Sequence, residues 1–293
     1  MTESALKKTL EMIVYIYMMR KQKLILMDID GTLLNTDWKM LPYTKKILTS
    51  LHEHGILLGI ASGRPVDDIT FHTQNWDLPF QFDVLVGLNG CEIQNNVTNT
   101  YSLSHELSPE QLKTATHLML DHFECIPFLY RGSQIHSLEV NEVIKTSAIK
   151  SGKEPVQVDL ETMCKEPCVK VMFRTRQKET IDQMEQYLKT IETPGLKWFK
   201  TQSTLMEVSD PAVSKAIALP ILCQQLDLDN GQIIACGDTT NDNEMLKAAG
   251  LGICLKNGTE DTKACADEIT ELDNDHDGLA HHFVKKHPEL FKA

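Results

Sequence analysis

The chain has 293 residues, with 29 Lys and Arg against 41 Asp and Glu, so its formal net charge is −12 at pH 7. Hydrophobic residues make up 42% of the chain, which is enough to build the core of one large domain or of two unequal ones. The acidic residues are dispersed and no basic stripe appears, so we expect no nucleic-acid partner and a cytoplasmic location.

The first predicted element is an apolar run, MIVYIYMM, at residues 12–19. It is far shorter than the ~20 residues that a membrane-spanning helix needs, and no small-residue cleavage site follows it as in a signal peptide. We therefore expect no membrane partner. Residues 1–20 are set apart as an N-terminal extension.

Strand-length apolar runs then alternate with helical patterns. Strands are predicted at 24–30, 56–62, 82–87, 232–238 and 251–255, and helices near 42–54, 65–75, 214–226 and 241–249, the last one capped by Asn241. Continuous apolar strands that alternate with helices are typical of a parallel sheet covered on both faces. The fold class is therefore α/β.

The middle of the chain, residues 91–203, has a different pattern. Helices are predicted near 108–122 and 177–191, with more polar strands at 124–130, 134–140, 168–174 and 196–200. Alternating polarity favours strands that are open to water on one face. We expect an inserted α+β domain here, and a core domain formed by residues 21–90 and 204–293.

Polar residues follow the apolar strands at their C-terminal ends. They are Asp28, Asp30, Gly31 and Thr32 after the first strand, Ser62, Gly63 and Arg64 after the second, Asn89 and Gly90 after the third, and Gly237, Asp238, Asn241 and Asp242 after the fourth. In an open parallel sheet, ligands bind at the carboxyl ends of the strands. These residues are therefore predicted to converge in one crevice.

The four carboxylates of this crevice predict a metal site. Asp28, Asp30, Asp238 and Asp242 cannot all remain ionised at close range without a counter-ion. Hard oxygen ligands with no nearby His or Cys suit Mg²⁺, which binds carboxylates together with water and phosphate. In an extended strand Asp28 and Asp30 also share one face.

The same crevice has groups suited to an anion. Ser62 offers a hydroxyl, the turns at Gly31 and Gly63 offer backbone N–H groups, and Lys215 at a helix start adds a cation. Each motif alone also fits an ordinary turn, cap or loop. Their order along the chain, each at a strand end or helix start, favours a combined metal and phosphate site.

These residues resemble the haloacid dehalogenase superfamily of phosphatases, most closely its Cof-type branch. DIDGTLL (28–34), IASGRP (60–65), Lys215 and GDTTNDNEML (237–246) look like the four motifs of that superfamily, and LNG (88–90) and EVSDPAVSKAIAL (207–219) look like the branch. The resemblance covers about residues 21–285. It implies a Rossmann-like, doubly wound parallel sheet with an inserted α+β cap of the IIB type at 91–203.

The resemblance also implies roles for individual residues. Asp28 would be the nucleophile that attacks phosphorus, and Asp30 the general acid and then the general base. Ser62 and Lys215 would hold the phosphoryl oxygens. The other implied phosphate-binding residues are Gly31, Thr32, Gly63 and Asn241, and the implied Mg²⁺ ligands are Asp28, the backbone carbonyl of Asp30 and Asp238, supported by Asp242.

The cap and its borders would select the substrate. Candidate specificity residues are Arg64, Asn89, Gly90 and Arg131, with His136, Glu139 and Lys145 as further polar residues of the cap. The segment GICLKNGTEDTK (252–263) departs from the tighter turn of the branch, although Asn257 and Gly258 keep part of it. That loop borders the site, so its change is expected to alter substrate contacts.

The leading hypothesis is a Mg²⁺-dependent phosphatase that acts on a small phosphorylated metabolite, such as a sugar phosphate, pyridoxal phosphate or flavin mononucleotide. A phosphotransferase or phosphomutase would use the same aspartyl-phosphate and pass it to a sugar. A non-catalytic phosphometabolite sensor would have a damaged catalytic set, and none is damaged here. The oligomeric state does not follow from the sequence.

Three further motifs are given structural interpretations. Asp273, Asp275, Asp277 and Gly278 fit the first half of a calcium loop, but Val284 stands where a bidentate Glu is needed, so a loop capping the last helix is predicted. His281, His282 and His287 have no further metal ligand placed by spacing and are predicted on a solvated helix. Cys164 and Cys168 lack a second pair and are predicted to be reduced, buried thiols.

Overall fold

The computed structural model describes residues 23–292, so the predicted extension at 1–20 lies outside it. The strands are β1 (Leu24–Met27), β2 (Leu57–Ala61), β3 (Val84–Gly87), β4 (Glu92–Asn95), β5 (Thr100–Leu103), β6 (Ile126–Arg131), β7 (Gln134–Ser137), β8 (Glu154–Gln157), β9 (Lys170–Arg174), β10 (Lys197–Gln202), β11 (Leu205–Ser209), β12 (Ile233–Gly237), β13 (Leu251–Cys254) and β14 (Glu268–Ile269).

The helices are α1 (Pro42–Glu53), α2 (Val66–Thr73), α3 (Pro109–Leu120), α4 (Glu142–Lys150), α5 (Leu160–Met163), α6 (Lys178–Leu188), α7 (Ala218–Leu226), α8 (Asn243–Ala248), α9 (Glu260–Lys263) and α10 (Gly278–Lys286). Short 3-10 helices lie at Leu88–Gly90, Lys215–Ile217, Asn230–Gln232, Thr240–Asp242, Asn274–His276 and Pro288–Phe291. The α/β fold class is confirmed.

The chain divides into two compact units. The first contains the described residues up to 60, residues 78–84 and residues 219 onward, and the second contains residues 61–77 and 85–218. None of the helices within residues 23–292 combines the length and the apolar character needed to cross a membrane.

The first unit is built on parallel strands in the order β14-β13-β12-β1-β2. Leu24 lies opposite both Ile233 of β12 and Leu57 of β2, which places β1 between two neighbours. Every residue of β1, β2 and β12 is buried, as expected for strands covered on both faces. The continuous apolar sequence of these strands therefore agrees with their buried position in the sheet.

The second unit contains a six-stranded sheet in the order β10-β11-β9-β6-β7-β8. Its neighbours pair antiparallel, except that β7 and β8 run parallel. Strands β4 and β5 form an antiparallel hairpin in the same unit, outside this six-stranded sheet. The two predicted helices appear as α3 and α6, whereas β4, β5, β8, β11, α4 and α5 were not predicted.

The central strands of this sheet are covered on both faces, so the prediction of strands open to water on one face is wrong for β6 and β9. Leu129 packs in one apolar cluster with residues of α3 and α6, and its neighbour Phe128 packs in another with Ile144 and Ala148 of α4. Adjacent strand residues point to opposite faces. The unpredicted helix α4 covers the second face.

The eight cysteines are free thiols, which confirms the prediction for Cys164 and Cys168, both buried. No disulfide is formed, so the two units depend on packing and hydrogen bonding.

The loop that resembled half a calcium site binds other parts of the first unit. Asp275 Oδ1 accepts hydrogen bonds from the backbone N–H and hydroxyl of Thr36, at 2.8 and 2.7 Å. Asp277 Oδ1 accepts from the backbone N–H and hydroxyl of Thr44, at 2.7 and 2.6 Å. Asp277 occupies the N-cap position of α10 without a side-chain cap, but the Asp273 carbonyl accepts from the backbone N–H of Gly278, the first residue of the helix, at 2.9 Å. The loop therefore caps the helix through its backbone, as predicted.

We expect Asp277→Ala to destabilise the first unit by about 1–3 kcal/mol, because the buried Thr44 loses the acceptor for two donors. Asp277 also has a left-handed backbone with φ of 52°, which Ala tolerates poorly. Asp277→Asn is the matched control, since Asn keeps an oxygen acceptor and tolerates this backbone. Urea unfolding of the variants measures the difference. Equal losses in the two variants would contradict the role of the acceptor.

Candidate active site

Three carboxylates meet at the ends of two adjacent strands in the first unit. Oxygen atoms of Asp28, Asp238 and Asp242 all lie within 4.8 Å of one another. Asp28 directly follows β1 and Asp238 directly follows β12, and these strands pair in parallel with Met27 opposite Cys236. The three residues are 7%, 6% and 0% exposed. The register of two neighbouring strands therefore brings together acids that are distant in the sequence.

Asp242 is held by the turn that precedes α8. Its Oδ2 atom accepts hydrogen bonds from the backbone N–H groups of Asp238 and Thr239, at 3.0 and 3.1 Å. Asn241 lies inside the 3-10 helix before α8, where its Oδ1 accepts from the Thr239 hydroxyl at 2.7 Å. The prediction that Asn241 caps this helix is wrong. The Asp242 carboxylate instead accepts hydrogen bonds from the backbone N–H groups of the turn.

Asp28 and Asp30 lie in different environments. Strand β1 ends at Met27, although the backbone N–H of Asp28 still donates to the Cys236 carbonyl of β12 at 3.0 Å. Asp30 lies in the turn that follows, where the N–H groups of Leu33 and Leu34 both bond to the carbonyl of Ile29. The prediction of a strand that extends to residue 30 is therefore wrong. Asp28 is buried, while Asp30 is half-buried. Water reaches the second acid more readily than the first.

Gly31 lets this turn approach Asp238 closely. Its φ is +87°, and a Cβ atom added there would lie 2.3 Å from Asp238 Oδ2. The hydroxyl of the next residue, Thr32, donates to Asp238 Oδ1 at 3.1 Å. The turn after β1 thereby fixes the carboxylate that follows β12.

The loop after β13 supports the same turn. Asn257 Nδ2 donates to the carbonyl of Gly31 at 2.8 Å, and the backbone N–H of Thr259 donates to the carbonyl of Asp238 at 2.9 Å. The sequence assigned Asn257 only to a loop at the border of the site. Its agreement with the family's turn, in a segment that otherwise departs from it, was the available signal for this positioning role.

A second group of predicted residues assembles within the second unit. The Ser62 hydroxyl accepts from the backbone N–H of Arg64 at 3.2 Å, and the Ser62 carbonyl accepts from the N–H of Asn89 at 3.0 Å. A Cβ atom on Gly90 would lie 2.3 Å from the carbonyl oxygen of Ser214, the residue before Lys215. Ser62, Asn89 and the fully buried Lys215 thus belong to packed segments of one unit.

Arg64 and Arg131 have contacts of their own in this unit. The Arg64 guanidinium lies 3.6 Å from Asp68 Oδ1, and His72 Nε2 lies 3.0 Å from the same oxygen. Burial raises the pKa of Asp68, but the His72 hydrogen bond and the Arg64 charge outweigh it and hold that pKa below its ordinary value. Arg131 donates to the backbone carbonyls of three residues, Pro167, Glu166 and Met163. The specificity roles of both arginines stay predictions.

A buried ion pair supports the loop that contains Ser62, and the sequence did not predict it. Lys170 Nζ lies 2.8 Å from Glu207 Oε2 and donates to the carbonyl of Gly63 at 3.1 Å. Lys170 and Glu207 are 6% and 5% exposed. The charge of Glu207 holds the pKa of Lys170 above its ordinary value although burial acts to lower it. A charged residue at a buried strand position was the signal for this pair.

The carboxylate cluster affects the thiols beside it. Burial, together with the charge of Asp238, raises the pKa of Cys254 to about 12. Burial and the charge of Asp242 also raise the pKa of Cys236. Both thiols are therefore protonated near neutral pH in the metal-free protein.

The donor set of this cluster fits a hard divalent cation. Asp28, Asp238 and Asp242 present oxygen atoms only, at mutual distances that one ion can bridge. Three like charges in a buried site repel one another strongly unless a cation is present. The residues therefore fit Mg²⁺, whose binding here stays a prediction.

Known proteins resemble this chain in sequence and in fold. A family model described as haloacid dehalogenase-like hydrolase matches residues 25–283. The 5-amino-6-(5-phospho-D-ribitylamino)uracil phosphatase YitU of Bacillus subtilis (strain 168) is 25% identical over 285 residues, which are 92% of this chain and 99% of the relative.

Solved structures agree with this match. The crystal structure of a haloacid dehalogenase-like hydrolase from Bacteroides thetaiotaomicron has a TM-score of 0.79 and 26% identity, over 90% of this chain and 99% of the other. BT1666 of the same organism, described among phosphatases of the superfamily, has a TM-score of 0.73 and 25% identity, over 90% and 94% of the two chains. The chain belongs to the haloacid dehalogenase-like hydrolase family, which confirms the resemblance and the prediction of a phosphatase enzyme.

We expect Gly31→Ala to lower phosphatase activity by about 10²-fold, because the new methyl group displaces the Asp238 carboxylate. Gly55→Ala is the matched control. Gly55 has a similar φ of +79° but open space around its Cβ position, so this variant carries only backbone strain of about 1–2 kcal/mol. Activity and urea unfolding are measured together. Equal activity of the two variants would show that the approach to Asp238 is unimportant.

We expect Lys170→Met to destabilise the second unit by about 3–5 kcal/mol, because it leaves the Glu207 carboxylate buried without its partner. Replacing both residues, as in Lys170→Met with Glu207→Leu, should recover most of that loss. Chemical denaturation of the single and double variants gives the two values. A single variant as stable as the parent protein would rule out this role for the ion pair.

Proposed function

We propose that this member of the family is a Mg²⁺-dependent phosphomonoester hydrolase that acts on a small phosphorylated metabolite. The observation that carries the proposal is the buried cluster of Asp28, Asp238 and Asp242 beside the half-buried Asp30. One buried carboxylate suited to a metal and one acid open to water are what a two-step hydrolysis through an acyl-phosphate requires.

In the first step a carboxylate oxygen of Asp28 attacks phosphorus, and the bond from phosphorus to the ester oxygen breaks. Asp30 gives its proton to the departing alkoxide, which leaves as an alcohol. The phosphoryl group is then bonded to Asp28. The buried position of Asp28 at the end of β1 keeps this carboxylate fixed for the attack.

In the second step Asp30 takes a proton from a water molecule, and the water oxygen attacks phosphorus. The bond between phosphorus and the Asp28 oxygen breaks, which releases inorganic phosphate and restores both acids. The half-buried position of Asp30 supports this role, because the residue must exchange protons with both alcohol and water.

Residues Asp28 and Asp238 would hold Mg²⁺ with the backbone carbonyl of Asp30, and Asp242 would support them. The ion would supply positive charge to the phosphoryl oxygens and offset the repulsion among the carboxylates. The carboxylates are held in place without the ion, because Asp238 accepts from the Thr32 hydroxyl and Asp242 accepts from two backbone N–H groups.

The remaining assignments follow the family motifs. Ser62 and Lys215 would hold the phosphoryl oxygens, with Gly31, Thr32, Gly63 and Asn241 also in phosphate binding. We assign residues 21–90 and 204–293 to the catalytic core and residues 91–203 to a cap that selects the substrate. The relative YitU is named as the phosphatase of a phosphorylated ribitylamino compound, which supports a phosphorylated polyol or sugar among the substrates.

Asp28→Asn tests the nucleophile, with hydrolysis of p-nitrophenyl phosphate and of an alkyl phosphate measured in MgCl₂. We expect activity to fall by about 10³-fold or more on both substrates, since the acyl-phosphate cannot form. Asp30→Asn should lose about 10²–10⁴-fold on the alkyl phosphate and less on p-nitrophenyl phosphate, whose leaving group needs little protonation. Asp37→Asn, at an exposed residue of the following loop, is the control.

Wild-type rates from Asp28→Asn would refute this mechanism. The metal is tested separately by thermal unfolding, where saturating Mg²⁺ at about 100 times its dissociation constant should stabilise the protein by ~2.7 kcal/mol. No shift with Mg²⁺ would contradict the metal assignment. Transfer of the phosphoryl group to an added sugar in preference to water would favour the phosphotransferase alternative.

A further inference from the structure

A second cluster of potential metal ligands lies in the first unit, at its C-terminal helix. Glu268 is the first residue of β14, His282 lies on α10, and His287 directly follows that helix. Glu268 Oε2 lies 2.7 Å from His282 Nε2 and 2.9 Å from His287 Nε2. The prediction of a solvated helix that carries these histidines is therefore wrong for His282 and His287.

The sequence missed this site because its third ligand comes from a different element. His282 and His287 are five residues apart, a spacing that indicates no metal motif alone. Glu268 lies on the edge strand β14, whose pairing with β13 places Glu268 opposite Ile253. The packing of α10 against this edge completes the set.

The contacts of His287 favour a cation between the three residues. Its Nε2 atom faces Glu268, and its Nδ1 atom lies 3.3 Å from Glu289 Oε1. In the tautomer with its hydrogen on Nδ1, His287 donates to Glu289 and directs the lone pair of Nε2 toward Glu268 and His282. A cation bound between these three residues then has Nε2 as a ligand.

This arrangement matches the usual support of a metal-bound histidine. Ligating imidazoles commonly donate their second ring N–H to a carboxylate, which fixes the tautomer and the ring orientation. Two histidines and one glutamate form a known ligand set for Zn²⁺, with a fourth position left for water. Imidazole nitrogen is a poor ligand for Mg²⁺ and a good one for Zn²⁺, Co²⁺ and Ni²⁺.

The geometry needs only a small adjustment to admit the ion. Ligand atoms around tetrahedral Zn²⁺ are about 3.3 Å apart, given bonds of ~2.0–2.1 Å. The observed separations of 2.7 and 2.9 Å would widen by about half an ångström.

The burial of the two histidines and the exposure of Glu268 also suit a bound ion. The His282 side chain is 3% exposed and that of His287 is 12% exposed, whereas Glu268 is 32% exposed and open toward solvent. His282 also lines a surface cavity with Gly278 and Lys285, and Lys285 pairs there with Glu271. The exposed side of the Glu268 carboxylate gives an ion a route of entry.

We propose that Glu268, His282 and His287 bind one divalent ion of the Zn²⁺ class, with Glu289 as a positioning residue. The site links the edge strand β14 to the C-terminal end of α10. It differs from the proposed Mg²⁺ site in its nitrogen ligands and shares no residue with it. Its role is structural, because it fastens the last helix to a two-residue strand.

The test is titration of ZnCl₂ into the metal-free full chain by calorimetry, in saturating MgCl₂ so that the carboxylate cluster is occupied. We expect one Zn²⁺ per chain in the parent protein and none in His282→Asn or His287→Asn. Glu289→Gln should weaken binding by about 10–100-fold, as loss of a positioning carboxylate does. His281→Asn, the exposed neighbour on the same helix, should bind as the parent does.

Two further readouts separate metal binding from folding. Co²⁺ in place of Zn²⁺ should give the visible absorption of a tetrahedral ion with nitrogen ligands, and circular dichroism reports whether each variant is folded. Asp28→Asn should retain the Zn²⁺ site, so loss of phosphatase activity and loss of this site are distinguishable. Absence of Zn²⁺ binding in the parent chain, or unchanged binding in folded His287→Asn, would overturn the proposal and leave a metal-free hydrogen-bond network.

Discussion

Repulsion among three buried carboxylates is the constraint on which the site in the first unit depends. Asp28, Asp238 and Asp242 lie within reach of one ion while almost completely removed from water. Such an arrangement persists in a fold only if each acid is held by separate interactions. Asp238 is held by the Thr32 hydroxyl, and Asp242 by two backbone N–H groups. The turns around the acids provide these hydrogen bonds.

This constraint explains why small and polar residues surround the acids. Gly31 brings the turn after β1 against Asp238, and Gly237 leaves room for Asp242, whose Cγ atom would lie 2.4 Å from an added Cβ. Asn257 then fixes the carbonyl of Gly31 from a third segment. The acids and their supports form one hydrogen-bonded unit, so a change in one support alters the geometry of the others.

The sequence predicted the parallel strands well because they are buried on both faces, and a continuous apolar run reports that burial directly. It failed where a residue's environment depends on a distant partner. Strand β1 is shorter than predicted because, after the N–H of Asp28 bonds to Cys236, the carbonyl of Ile29 accepts from Leu33 and Leu34 in a turn. Lys170 and His282 look solvent-exposed by residue type, yet Glu207 and Glu268 provide buried partners for them. Local periodicity contains no information about such pairs.

The family match confirmed what the motifs had indicated, since four short motifs at strand ends and helix starts are specific in combination.

Helix α4 was missed because its apolar face is narrow, with Ile144 and Ala148 as its buried residues. The side-chain contacts of the loop at 273–277 were missed for another reason. Asp275 and Asp277 bind Thr36 and Thr44, more than two hundred residues earlier in the chain.

The discontinuity of the first unit has a consequence for biosynthesis. Its opening segment, which includes Asp28, is completed only by residues 219 onward, while the second unit is almost entirely encoded between them. During synthesis on the ribosome the second unit can fold as it emerges. Strand β1 can pair early with β2 on one edge, but its other edge must wait for β12 to be translated. A nascent chain with such an exposed apolar strand is a natural client for chaperones.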